Sequence, residues 1–131
     1  MTDTQPATTV PGPRFSGPRI HLHVNGLALA GVALLAFSLT GGRWWLFGAL
    51  ILVPDVSMAG YLVSRRVGAI TYNAGHSLVI PAALVAINLV AGNPFVLELG
   101  LIWATHIGID HVFGYGYKYP TAFRDTNLQR V

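Results

Sequence analysis

The sequence predicts an all-α integral membrane protein, a bundle of four antiparallel transmembrane helices. Three observations carry that expectation. Charged residues make up 10% of the 131 residues and hydrophobic ones 53%, against about 25% charged in an ordinary soluble domain. Four long apolar runs follow one another, and a helix needs about 20 mainly apolar residues to cross a hydrocarbon core of ~30 Å. The links between the runs are only a few residues long, which makes successive helices antiparallel neighbours. Helices are the expected form because they satisfy their own backbone groups in lipid.

Residues 1–20, rich in Thr, Pro and Gly, read as a disordered tail. The transmembrane domain then occupies residues 21–117. Val24 to Thr40 holds 17 residues without a charge, and reaches full length if His21 to His23 lie in the headgroup layer. No A-x-A-like site follows it, so it reads as a span and not as a cleaved signal peptide. After Gly41-Gly42-Arg43, the run Trp44 to Ser64 carries one charge, Asp55. Arg65-Arg66 leads into Val67 to Gly92, where His76 is the only ionisable side chain apart from tyrosine. Past Gly92-Asn93-Pro94, the run Phe95 to Tyr117 contains Glu98 and Asp110. Trp44, Trp45 and the tyrosines at 115, 117 and 119 fit aromatic belts at the two interfaces. Residues 118–131 form a C-terminal segment.

Basic residues set the expected orientation. Seven of the eight, Arg14, Arg19, Arg65, Arg66, Lys118, Arg124 and Arg130, fall on one side of the alternating spans, and Arg43 stands alone on the other. The positive-inside rule then places both termini in the cytoplasm and the protein in the inner (plasma) membrane. The pI of 9.7 reports that topology. Because the basic residues form no folded patch, nucleic acid is not an expected partner, whereas membrane lipids are. Gly100, Ala104 and Gly108 recur four apart, a spacing that lets helices approach closely and offers a surface for a homo-oligomer. With no cysteine, thiolate metal sites and disulfides are excluded.

The informative residues are the polar ones inside the spans. Asp55 and His76 each lie ten residues from the Arg65-Arg66 link, about 15 Å deep at ~1.5 Å per residue. Counting back from Lys118 puts His106 about 18 Å and Asp110 about 12 Å deep. An aspartate near a helix centre costs roughly 2.5–3.5 kcal/mol on insertion scales, so these groups should face inward and find partners. Pro54 and Pro81 each free a backbone carbonyl near them. Three uses fit. Asp55, His76, His106 and Asp110 suit zinc, manganese or iron as ligands. His106 and Asp110, at i and i+4, suit acid–base catalysis or a proton relay without metal. A hydrogen-bonded cluster that only ties helices together is the third. Tyr61, Tyr72, Asn73, Tyr115 and Lys118 are the expected supporting or substrate contacts, with Tyr115 to Phe123 as a lid. Glu98 is expected to be solvated near the outer interface, and Lys118 to act as a snorkelling anchor or a phosphate ligand.

"PDVSMAGYL", "RVGAITYNAGHS" and "HIGIDHVFGYGYKYPTAFRDTNLQRV" resemble a family of small bacterial integral membrane proteins described only as a domain of unknown function, over about residues 25–131. That family's closing "DT-H-L" pattern has Asn127 in place of its histidine here. A more distant similarity is to the LexA-regulated membrane-bound metal-dependent hydrolases, carried by Pro54-Asp55, His76-Ser77, and His106 with Asp110. Those proteins have a richer histidine motif, and Tyr72-Asn73 stand where further ligands would fall. The common depth of Asp55, His76, His106 and Asp110, with the order of the motifs, points to a metal-dependent or acid–base enzyme acting on a lipidic or amphipathic substrate reached from the inner leaflet. A small proton-coupled transporter and a structural or partner-binding membrane protein are the alternatives.

Overall fold

A computed structural model describes residues 15–131, which form six α-helices and one 3-10 helix. Their only β-type pairing is an isolated bridge between Lys118 and Thr126. Helix α1 spans Gly17–Leu39, with Pro18 in its first turn and the Ser16 hydroxyl accepting from Arg19 N–H. A side-chain acceptor at this position satisfies an N–H that the helix start leaves unpaired. The helix thus begins within the stretch read as tail; residues 1–14 of that tail lie outside the described residues.

The second apolar run is not a continuous α-helix. It divides into α2 (Trp44–Leu50) and a 3-10 helix (Val53–Leu62) that opens with Pro54. The third divides into α3 (Arg65–Gly75), capped by Ser64, and α4 (Val79–Ala91), which has Pro81 in its first turn. Helix α5 (Pro94–Val112) is unbroken, capped by Asn93. A short α6 (Asn127–Arg130) closes the chain. Four stretches, Gly17–Leu39, Trp44–Leu62, Arg65–Ala91 and Pro94–Val112, are long and apolar enough to cross a membrane.

Helix α5 is central: it packs along α1 and α4 and touches α2, while α3 packs on the 3-10 helix. Phe37, Leu46, Leu101 and Ile102 form a small buried core where α1, α2 and α5 meet. Apolar side chains elsewhere are strongly exposed, Leu62 at 90% and Val90 at 93% among them, as a lipid-facing surface requires and a water-facing one disfavours.

One expectation needs correction. Glu98 is 6% exposed and paired, not solvated: it accepts from Arg43 N–H at 2.9 Å and from the guanidinium Nη2 at 2.5 Å. Burying a carboxylate requires such a partner, and Arg43 sits in the α1–α2 link directly against the first turns of α5. Gly100 and Gly108 of α5 also serve close helix packing within the chain. A Cβ on Gly108 would lie 2.6 Å from Ala30 N and 2.7 Å from Gly26 O of α1, and one on Gly100 would meet Pro81 O, Leu84 and Val85 of α4. These contacts set how closely α1 and α4 approach α5.

The segment after α5 folds back onto the helices. Asn73 donates to Lys118 O at 2.9 Å and accepts from Lys118 N–H at 2.6 Å. Arg19 Nη2 donates to Gln129 O at 2.7 Å. Within the segment Arg130 donates twice to Asp125, at 2.8 and 2.7 Å, and Thr121 Oγ1 donates to the same carboxylate.

Candidate metal centre

The breaks in the second and third runs create the site. At Pro54 the chain tightens: Asp55 N–H bonds Leu52 O at 3.1 Å, three residues back, so the Ile51 carbonyl lacks its α-helical donor. His106 of α5 supplies one, Nδ1 to Ile51 O at 2.6 Å. Helix α3 ends on His76, whose Nδ1 and backbone N–H both reach the Tyr72 carbonyl at 2.9 Å. The next helix starts only at Val79, whose N–H turns to Ser77 Oγ. The Gly75 carbonyl is then free to accept Trp103 Nε1 of α5 at 2.6 Å. Each interruption therefore hands α5 a backbone carbonyl, and the bonds to Ile51 O and Tyr72 O hold the two imidazoles.

A carbonyl oxygen can only accept, so Nδ1 carries the proton in both histidines and Nε2 is left as the bare nitrogen of the neutral ring. The two Nε2 atoms face each other at 3.1 Å. Asp110 Oδ2 lies 3.1 Å from His76 Nε2 and 3.3 Å from His106 Nε2; Asp55 Oδ1 lies 3.5 and 3.2 Å from the same two atoms. Both histidines are 5% exposed, so water does not separate them from these partners. With both rings neutral, four acceptor atoms converge here, an arrangement that a cation, either a metal ion or an added proton, would stabilise.

The spacing is compatible with a metal ion. A tetrahedron with bonds of about 2.0–2.1 Å has edges of roughly 3.3–3.4 Å, and five of the six edges here run from 3.1 to 3.5 Å. All four ligand atoms fall within 4.8 Å of one another, and the group could hold a metal ion. Each histidine also has the outer hydrogen bond that ligating imidazoles use to hold tautomer and ring plane. Tyr72 OH donates to Asp110 Oδ2 at 3.2 Å, and its ring stacks on His76 at 3.8 Å.

Beside the cluster lies a cavity of about 230 Å³ lined by Asp55, Met58, Tyr72, Asp110, Tyr115, Lys118 and Phe123. The carboxylate–carboxylate edge of the cluster therefore borders open space. Lys118 is 3% exposed. Its Nζ donates to Phe123 O at 2.7 Å and sits 3.4 Å from the centre of the Phe123 ring and 4.4 Å from that of Tyr72. Burial lowers its pKa to about 8, against the opposing pull of Asp110 and Asp55. The surface-anchor expectation for Lys118 is corrected by this burial.

Asp55, His76, His106 and Asp110 are thus brought together by three separate elements, and Tyr72, Tyr115 and Lys118 line the adjoining cavity. Asn73 stands behind it, clasping the Lys118 backbone. Tyr61 lies one step away, edge-on to Phe123 at 5.2 Å. Asn127 sits in α6 with its N–H on Tyr117 O, in the C-terminal fold and away from the four clustered residues. Met58 and the carbonyls of Ile51 and Tyr72 went unrecognised in the sequence. Pro54 signals a break beside Ile51, whereas nothing local marks Tyr72 O, and which histidine takes which carbonyl is a tertiary matter.

The sequence model of one family, described as Domain of unknown function (DUF4260), matches residues 19–131. No curated protein and no solved structure matches the chain.

Proposed function

The chain belongs to the family described as a domain of unknown function (DUF4260), and on that premise we propose that it is a membrane-embedded, metal-dependent hydrolase acting on an amphipathic substrate. The observation that carries the proposal is the convergence of two bare imidazole nitrogens and two carboxylates at 3.1–3.5 Å, with both Nδ1 atoms committed to backbone carbonyls. The four residues would hold a divalent transition metal, zinc first and manganese or iron next. When bound, such a metal supplies Lewis-acid polarisation of a substrate oxygen and activation of water.

Four protein ligands around a tetrahedral ion describe a closed, structural site, and that is the second reading. The cavity against the two carboxylates favours the catalytic one, because a ligand from substrate or water can enter there and zinc expands to five-coordinate in catalytic sites. Asp55 has the most exposed side chain of the four, at 32%, so it is the ligand best placed to yield to an incoming group. His106 and Asp110 hold the inner geometry, and Tyr72 keeps Asp110 oriented through its hydroxyl. Asp55 and His76 come from broken helices, an arrangement tolerated in membranes where non-helical backbone lines a cavity. In this reading the four stretches are antiparallel spans of the plasma membrane, both termini are cytoplasmic, and the C-terminal segment covers the cavity from that side.

The test is metal content. Protein purified in detergent after metal-supplemented growth, without chelator, should carry close to one metal ion per chain, and His106→Ala and His76→Ala should each lose it. Metal-free wild type would overturn the proposal and leave a proton between the two imidazoles as the cation. Full metal content without hydrolysis of any phosphate or carboxylic ester offered in mixed micelles would support the structural reading.

A further inference from the structure

We infer that the cavity binds the phosphate of a phosphate-bearing amphiphile, with Lys118 as the residue that recognises it. The inference rests on the metal reading of the cluster and adds the class of substrate. Charge balance is its first support. A divalent ion with two carboxylates and two neutral imidazoles sums to zero. Lys118 then adds a positive charge to the same cavity, and no ion pair among the described residues includes it. A buried charge without a counter-charge is costly, and an anion entering the cavity relieves it.

Geometry is the second support. An ammonium has three N–H donors; one goes to Phe123 O, and the rings of Tyr72, Tyr115 and Phe123 lie within 5.5 Å of it, with no second hydrogen bond from the ammonium among the described residues. The reciprocal Asn73 bonds pin the Lys118 backbone, so the ammonium is held at the cavity and does not reach it by side-chain flexibility. Asn73 is thus a positioning residue. Size is the third. About 230 Å³ is below the ~300–1,000 Å³ that encloses a drug-sized ligand. The space suits a headgroup whose apolar remainder stays in lipid.

The experiment uses the full-length, metal-loaded protein in detergent and titrates inorganic phosphate, a short-chain phosphatidic acid and the matching diacylglycerol. Phosphate and phosphatidic acid should bind and diacylglycerol should not. Lys118→Met, which keeps the apolar stem, should weaken both by about ten- to a hundredfold, the scale of a lost hydrogen bond to a charged group, while metal content stays at the wild-type level. Lys118→Arg should recover part of the loss. Tighter binding of phosphatidic acid than of phosphate identifies a lipid headgroup as the source; equal binding identifies the free anion. Wild-type phosphate affinity in Lys118→Met, or no phosphate binding by metal-loaded wild type, overturns the inference and leaves the metal reading standing. Lys118-dependent phosphate binding by a protein that takes up no metal would overturn the metal reading instead.

Discussion

Asp110→Asn isolates the charge of one ligand with little change of shape. Asp110 Oδ2 faces His76 Nε2 at 3.1 Å and His106 Nε2 at 3.3 Å, and accepts the Tyr72 hydroxyl at 3.2 Å. An amide oxygen can still accept from Tyr72, so the packing has no reason to change. Removing one partner of a buried charged set costs about 3–5 kcal/mol. At about 1.4 kcal/mol per tenfold, the metal Kd should rise between roughly a hundredfold and a few thousandfold. Competition against a chromophoric chelator, with zinc and with manganese, measures this, and far-UV circular dichroism checks that helicity is unchanged. Tyr72→Phe should cost about tenfold by itself, the low end for an outer-shell hydrogen bond. Its effect should shrink in the Asp110→Asn background, because the two groups share one bond. An Asp110→Asn protein that binds metal as tightly as wild type would refute the assignment of this carboxylate as a ligand.

Two further predictions test the scaffold. In Gly108→Ala the new methyl meets backbone atoms of α1 at 2.6–2.7 Å, which cannot rotate away, so the helices must part at an overpacking cost of about 1–3 kcal/mol. Because α5 carries His106 and Asp110 two residues to either side, metal content should fall with the melting temperature. Gly31→Ala, with open space around it, should change neither, and an unaffected Gly108→Ala would remove the proposed role of this crossing. The hydrogen bonds from Arg130 and Thr121 hold the Asp125 carboxyl below its ordinary 3.8, to about 2. Its folded value is depressed, so its contribution to docking the C-terminal segment is complete above pH 3.8 and disappears as pH falls through about 2. A carboxyl-carbon NMR titration should show a midpoint near 2; one near 4 would mean that the Arg130 pair does not form in solution.

Much of the architecture is legible in the chain because it depends on local composition. Charge-poor runs of membrane length, short links with Gly, Asn and Pro, and caps such as Ser64 and Asn93 act over a few residues, and each can be read without knowing the neighbours. The same holds for identifying Asp55, His76, His106 and Asp110, since ionisable side chains inside apolar runs are expensive and therefore few. The burial of Glu98 is not legible in the sequence, for the complementary reason. Its environment depends on Arg43, 55 positions away, and no local pattern announces that pair.

What the sequence determined by itself is therefore the set of stretches long and apolar enough to cross a membrane and the identity of the polar residues within them. Only the tertiary structure decided what those residues can do. The tightening at Pro54 exposes the Ile51 carbonyl, and the end of α3 presents the Tyr72 carbonyl to His76. Those two acceptors turn both Nε2 atoms toward the carboxylates. The close approach of α1 and α5 at Gly26 and Gly108, and the return of the chain to place Lys118 over Tyr72, are likewise contacts between distant segments. Their geometry depends on how whole helices pack, which is why four scattered residues became a candidate metal centre only in the folded chain.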